Sequence, residues 1–342
     1  METNMLQLDG SIGEGGGQIL RTALSLSLLT GKPFQLINIR AGRKKPGLMR
    51  QHLVCVQAAK AIGQAKVTGD HLHSTELTFE PQTVQAGHYH FAIGSAGSTM
   101  LVLQTLLPVL MMQALPSTLK IEGGTHNPMA PTLDFIQRGF LPAVAKIGIQ
   151  VEVTASQVGF APVGGGVVDV VIQPWTDRQA LNLHERGALL AVNAHAGVLN
   201  IADGNIAGRE LATLANLLPL NAQEYLPLQG IGQGNTVLVE VVSAQHTEVF
   251  TALGEMGRPA EQIAKQLANR VKRYLSAADA TDEHLADQLL LPLALGKGGE
   301  FSCRKISEHT RTQAAMIETF LPVSIRLTEQ FLPYSALVQV IV

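Results

Sequence analysis

The chain has 342 residues, enough for about two or three domains with a sizeable core, which excludes a small scaffold held together by disulfides. Hydrophobic residues make up 46% and charged residues 15%, a balance that excludes a disordered chain. Lys and Arg number 25 against 27 Asp and Glu, a formal net charge of −2, so no global positive field draws nucleic acid and phosphate recognition must come from a local cluster.

In chain order, residues 1–10 carry Glu2 and Asp9 without a basic or apolar leader pattern, so no signal peptide is expected there. Glycines 15–17 open a helix with apolar periodicity (Ile19, Leu20, Ala23, Leu24, Leu28), followed by a strand at 34–39 and an Ala-Gly turn at Gly42. A second helix at 48–62 is closed by Gly63, and strands follow at 66–67 and 77–79. The pattern then recurs. Gly94 to Gly97 open a helix at 100–113, a strand at 119–122 reaches the Gly123-Gly124 turn, and a helix at 131–147 is closed by Gly148 before strands at 151–154 and 167–172. From the last opening glycine to the turn the spacing is 25 residues in the first copy (Gly17 to Gly42) and 26 in the second (Gly97 to Gly123). A third copy shows in a helix at 287–295, a strand at 300–303, a helix at 310–320 and a strand at 323–327, with Gly298-Gly299 between the first pair.

Residues 182–280 break the pattern with their own helix at 209–218, strands at 236–242 and 247–253, and a long amphipathic helix at 259–275. The expected fold class is therefore α/β of the two-layer α+β kind, built from three repeated βαβαββ-type units. Residues 1–181 and 281–342 form the repeat-built catalytic domain, and 182–280 a smaller inserted α/β domain. The most apolar stretch, 100–115, is interrupted by Gln104, Pro108 and Gln113 and falls short of the roughly 20 residues a membrane span needs. Cys55 and Cys303 make neither a disulfide framework nor a zinc pattern. A cytoplasmic protein without membrane contact is expected.

The glycine-rich turns and the loop before Thr310 occupy related ends of their units, where a shared cleft would form. Gly13-Glu14-Gly15-Gly16-Gly17-Gln18 precedes a helix and reads either as a tight turn or as an anion cradle of backbone N–H groups. It is not the Walker pattern. Glu14 in its middle would repel phosphate unless a divalent cation bridges them, so it is either a Mg²⁺ or Mn²⁺ ligand or a solvated turn residue. Arg21 lies one turn into the helix, and Arg40, Arg43, Lys44, Lys45 and Arg50 crowd residues 40–52. That cluster is a solvated basic loop or a set of phosphate forks, and Pro46-Gly47 favours the second by fixing the turn. Gln51 and His52 begin the next helix and add neutral donors. Ser95 to Thr99 reads as a second cradle or as an N-cap. Gln104 is a base contact or a polar-face residue, Asp282 and Glu283 complement a helix dipole, and Asp287 is placed to bind a ribose hydroxyl pair. On composition alone His309, ahead of the last helix, is an exposed side chain.

Five ordered motifs, GEGGGQILR at 13–21, IRAGRKKPGLMRQH at 39–52, FAIGSAGST at 91–99, EHLADQ at 283–288, and His309 ahead of the last helix, resemble the RNA 3′-terminal phosphate cyclase family nearly end to end. The resemblance implies three repeats, each like the C-terminal domain of bacterial translation initiation factor three, with a smaller domain inserted between the second and third. It also implies an ATP-dependent, ligase-type RNA-processing enzyme acting by adenylylation. His309 then attacks the α-phosphate of ATP, releasing pyrophosphate and forming a histidine-AMP intermediate. AMP passes to an RNA 3′-phosphate to give RNA-(3′)pp(5′)A, and the 2′-hydroxyl closes the 2′,3′-cyclic phosphate and expels AMP. Carried over by position, Gln104, His284, Leu285, Ala286, Asp287 and Gln288 bind ATP, with Asp287 at the ribose. Glu14 holds Mg²⁺ or Mn²⁺, and Arg21, Arg40, Arg43, Gln51 and His52 surround the phosphates and RNA end. RNA 3′-phosphate ends are the implied partner, with no membrane and no obligate protein partner.

Two departures stand out. Val158 precedes Gly159, Pro162 and Gly164 to Gly166 where the family usually has Arg or His, and His284 stands where some members have Tyr. Two other readings are a non-catalytic, ribosome-assembly branch of the same family and an enolpyruvyl transferase of similar repeat architecture. His309 and Glu14 argue against the first, and the second needs no adenylated histidine.

Overall fold

The computed structural model describes residues 5–13, 16–202 and 204–342. The first unit runs β1 (Leu6–Asp9), α1 (Gln18–Thr30), β2 (Phe34–Ile37), α2 (Arg50–Gly63), β3 (Lys66–Thr68) and β4 (Leu77–Glu80), with the sheet ordered β1-β2-β4-β3. β1 and β2 are parallel because a helix carries the chain back between them, whereas β4 is antiparallel to β2 and β3. The second unit runs β5 (His88–Ala92), α3 (Thr99–Leu110), β6 (Ser117–Gly123), α4 (Leu133–Phe135), a π-helical segment (Ile136–Phe140), α5 (Leu141–Ala145), β7 (Val151–Gln157) and β8 (Gly166–Ile172). Its sheet is β5-β6-β8-β7, with the same strand senses.

The third unit begins with β9 (Leu181–Leu183) and is interrupted. After β9 come β10 (Leu189–Leu199), α6 (Ile206–Leu217), β11 (Ala222–Tyr225), β12 (Gly234–Ser243), β13 (Thr247–Leu253) and α7 (Ala260–Leu275), with a sheet of their own ordered β11-β10-β12-β13. The third unit then resumes with α8 (Glu283–Leu295), β14 (Gly299–Cys303), α9 (Glu308–Phe320), β15 (Ser324–Glu329) and β16 (Ala336–Ile341), giving β9-β14-β16-β15. Three sheets of identical order and sense establish the two-layer repeat. By pairing, β9 belongs to the third sheet, because Leu181 to Leu183 run parallel to Gly299 to Phe301.

Several boundaries differ from the sequence expectation, each for a local reason. α3 is capped by Ser98, whose Oγ accepts from the Leu101 amide at 3.3 Å, and it ends at Leu110, soon after Pro108. The helix expected at 131–147 starts only after Thr132, whose Oγ1 accepts from the Phe135 amide, and then widens into the π-helical segment. α8 starts four positions earlier than expected, at Glu283, because Asp282 is extended and ends the incoming chain.

One apolar core is shared by the three repeats. α1 is buried on almost every face, packing on α2, α3 and α9, while α8 packs on α9. Each fully buried Leu of α1, such as Leu24 and Leu26, contributes about 1.5–3 kcal/mol. A second, smaller core lies between α6, α7 and the helix-side face of the fourth sheet, with Val237, Val239 and Val241 against Leu211, Leu214 and Leu267. The opposite face sends Leu238 and Val249 into the main core. Arg138 of the π-helical segment bonds Glu240 of β12 at 2.9 Å across that boundary. Among the described residues no helix is long and apolar enough to cross a membrane.

Candidate active site

A cavity of about 760 Å³ opens where α1, α3, α8 and α9 converge, and loop 127–132 and the β13–α7 side of the interrupting segment complete its walls. His309 stands on one wall. Ser307, extended at φ −81° and ψ 165°, is the N-cap of α9, and its Oγ accepts from the Thr310 amide at 3.1 Å. His309 therefore sits in the first turn of the helix and not in a loop ahead of it. Its Nδ1 is 2.8 Å from Gln18 Oε1, and Gln18 Nε2 donates to the His309 carbonyl at 3.0 Å. Gln18 Nε2 also reaches Gln313 Oε1 at 3.3 Å, which accepts from Thr22 Oγ1 at 2.7 Å. Residues about 290 positions apart are thus joined across the first and third repeats.

The helical period sorts the run at 284–288. His284, Asp287 and Gln288 line the cavity, whereas Leu285 and Ala286 point the other way into the core with no exposed surface. Gln104 of α3 donates to Gln288 Oε1 at 2.5 Å, and Gln288 Nε2 donates to the His284 carbonyl at 2.8 Å. These bonds fix two amides on the cavity wall. Arg21 faces the same space, where burial draws its pKa down while Cys55 and the Asp287 carboxylate oppose that shift.

Arg40, Arg43, Gln51 and His52 are not on the cavity wall; they form a second group beside the glycine turn. Arg40, at φ +55°, donates to the carbonyls of Lys45 (2.7 Å) and Gly47 (3.2 Å) and closes the basic loop on itself. Burial and Arg43 hold its pKa below the usual value. Gly47 has φ +77°, and a Cβ there would lie 2.4 Å from the His73 carbonyl oxygen, so only glycine fits. Arg43 reaches Gly16, whose absent Cβ would be 3.5 Å from its Nη2. Gln51 Oε1 accepts from the Ser98 amide at 3.0 Å, tying α2 to the glycine turn of the second repeat.

His52 is almost fully buried, and its Nδ1 accepts from the Met49 amide at 3.2 Å. Burial, then Arg21 and Arg40, push its pKa down to about 3, so the ring is neutral and its proton sits on Nε2. That nitrogen faces the glycine turn, since a Cβ on Gly17 would lie 2.5 Å from it and 2.6 Å from Arg21 Nη1. Gly17 thus joins the two groups. Glu14, the expected metal ligand, lies outside the described residues. Among the described residues no group of three or more His, Cys, Asp or Glu is arranged to hold a metal ion.

Sequence reasoning overlooked Gln18, Thr22 and Gln313, although Gln18 closes the GEGGGQ run and Thr22 follows it at i+4 spacing. It also overlooked Arg270 of α7, which lines the cavity and donates to the Thr251 carbonyl at 3.0 Å. No local signal marks Arg270, because its approach depends on how the interrupting segment packs.

Taken together, the threefold βαβαββ scaffold and the cavity where its helices meet define a repeat-built α/β protein with one shared site. A family model described as RNA 3′-terminal phosphate cyclase matches residues 12–327. The chain is 47% identical over 331 residues to an RNA 3′-terminal phosphate cyclase of Koribacter versatilis, covering 96% of this chain and 93% of that protein. A protein of the same name from Salmonella enteritidis is 48% identical over 320 residues, covering 93% and 94%, and one from Salmonella paratyphi C is 47% identical over 326 residues, covering 95% and 94%. The chain belongs to the RNA 3′-terminal phosphate cyclase family.

Proposed function

We propose that this enzyme uses ATP to convert an RNA 3′-terminal phosphate into a 2′,3′-cyclic phosphate, with His309 as the covalent carrier of AMP. One observation carries the reading: His309, oriented by Gln18, stands in a helix N-terminal turn on a cavity that also presents Arg21, Gln104, His284, Asp287 and Gln288. A helix N-terminus favours phosphate through its dipole and amide groups. In the first step a bond forms between His309 Nε2 and the α-phosphorus, and the bond to pyrophosphate breaks. In the second, an oxygen of the RNA 3′-phosphate takes the adenylyl group and the ring regains its lone pair. In the third, the vicinal 2′-oxygen attacks the activated phosphorus, loses its proton and expels AMP. The low pKa of His52 supports its role as a neutral N–H donor to phosphate beside Arg21 and Arg43.

Asp287 is assigned to the ribose, and the Gln104–Gln288 pair to the base. Leu285 and Ala286 support these contacts from the core side of α8. Mg²⁺ or Mn²⁺ would travel with the triphosphate, and Glu14 is the assigned protein ligand. A reducing, cytoplasmic setting belongs to the same reading. The test is incubation with ATP labelled at the α-phosphate and a divalent cation. An acid-labile, base-stable protein-AMP adduct that disappears in His309→Ala supports the reading. Folded, metal-replete protein that takes up no label overturns it, as expected of a binding factor or an enolpyruvyl transferase.

A further inference from the structure

We infer that Gln18 is a positioning residue that sets the tautomer of His309, putting the ring proton on Nδ1 and making Nε2 the nucleophilic nitrogen. This rests on the reading of His309 given above and adds the residue that prepares it. The two ends of the Gln18 amide can be told apart by their partners. The nitrogen end lies 3.0 Å from the His309 carbonyl oxygen, a group that only accepts. The oxygen end therefore faces Nδ1, at 2.8 Å, and an amide oxygen only accepts, so Nδ1 carries the hydrogen. In a neutral imidazole the lone pair then belongs to Nε2.

A second contact holds the amide in this sense. Thr22 Oγ1 donates to Gln313 Oε1 at 2.7 Å, and that oxygen also lies 3.3 Å from Gln18 Nε2. Both hydrogens of the Gln18 amide are thus engaged, one by the His309 carbonyl and one by Gln313. Rotating the amide by half a turn would set oxygen against oxygen at both positions and nitrogen against an N–H at the ring. Gln18 is the first residue of α1, whose following residues Ile19 and Leu20 are buried, so the clamp is built on a rigid element.

The consequence for the chemistry is that no proton has to move on the ring. When Nε2 bonds to phosphorus and pyrophosphate departs, the ring becomes cationic with its hydrogen still on Nδ1, and the bond to Gln18 becomes charge-assisted. When the adenylyl group leaves for the RNA phosphate, the Nε2–phosphorus electron pair returns to nitrogen and restores the starting tautomer. Gln18 therefore favours the charged ring of the intermediate over the neutral ring that attacks, which is the differential binding that accelerates a step.

The test reads the ring directly and separately from turnover. With ¹⁵N-histidine-labelled, full-length protein at pH 8, His309 should show a protonated Nδ1 and a pyridine-like Nε2; Gln18→Leu should redistribute the proton toward Nε2. Single-turnover adenylylation at saturating ATP should fall by about 10–100-fold in Gln18→Leu, with KM for ATP changed less than about threefold. Gln18→Glu keeps the acceptor at the ring but sets an oxygen against the His309 carbonyl and Gln313 Oε1, so it should retain the tautomer and recover only part of the rate lost in Gln18→Leu. Wild-type protein with its proton on Nε2 overturns the inference, as does a folded Gln18→Leu protein with unchanged spectrum and rate. If the tautomer is as stated but wild type forms no adduct, the positioning stands and the proposed function falls.

Discussion

The first and third repeats each carry a histidine in the first turn of their second helix, His52 in α2 and His309 in α9, yet the two rings are set up for opposite work. In α9 Ser307 takes the capping role by accepting from the Thr310 amide, and the ring of His309 meets Gln18. In α2 the residue at that place is Met49, and the His52 ring itself accepts the Met49 amide. The Nδ1 of one ring is a donor and that of the other an acceptor. His52 is also buried beside Arg21 and Arg40, which keeps it neutral, whereas His309 is only half-buried on the cavity wall. His52, third after its N-cap, and His309, second after its own, thus acquire different chemistry from their helix position and one neighbouring amide.

The comparison can be broken most severely at the proposed nucleophile. His309→Ala should lower protein-AMP formation by at least about 10³-fold, as expected when a covalent carrier is removed, whereas His52→Ala should retain the adduct and lose about 10–100-fold in rate. Equal losses in a labelling time course would erase the distinction. Gly17→Ala should come next. Its new methyl would overlap His52 Nε2 and Arg21 Nη1, and displacing two groups proposed to meet phosphate should cost roughly 10–100-fold in adenylylation, with little change in thermal midpoint.

Acid stability sharpens the comparison further. The His52 pKa is about 3 in the fold, against an ordinary histidine value of 6.5, so the unfolded chain binds the extra proton between those limits. Stability from the buried neutral ring is complete above about pH 6.5 and drains away as pH falls toward 3. Between pH 7 and pH 5 the wild type should lose roughly 1–2 kcal/mol more than His52→Gln, read from urea unfolding of both proteins at each pH. An identical acid response would show that His52 is not held neutral. The smallest effect is expected at the α9 cap. Ser307→Ala should cost about 1 kcal/mol of stability and reduce adenylylation only a few-fold, because Gln18 continues to hold the ring.

Much of the scaffold was legible because glycines punctuate helices whose apolar residues recur with the helical period. The 25- and 26-residue spacings pointed to repetition correctly, although the two turn glycines are not structural equivalents. Gly123 ends β6, whereas Gly42 lies out in the loop that follows β2. The opening strands β1, β5 and β9 were not located because they are edge strands of only three to five residues, too short for a two-residue period to stand out. β16 is an apolar run that periodicity does not separate from a helical turn.

For the site, the run at 284–288 was read as a block, yet the helical period alone separates His284, Asp287 and Gln288 from Leu285 and Ala286. Gln18 was inside a quoted motif but silent, since its partners are on α9 at the far end of the sequence. Arg40 could not be read as closing its own loop, because that depends on a positive φ and on carbonyls five and seven residues away.

The most direct test is to locate the adenylyl group. Full-length protein incubated with ATP and Mg²⁺ in the absence of RNA is digested under mildly alkaline conditions and sequenced by tandem mass spectrometry. The account predicts AMP on the peptide containing His309, with the His52 peptide unmodified. AMP on His52 or on any other side chain, with His309 bare, contradicts it.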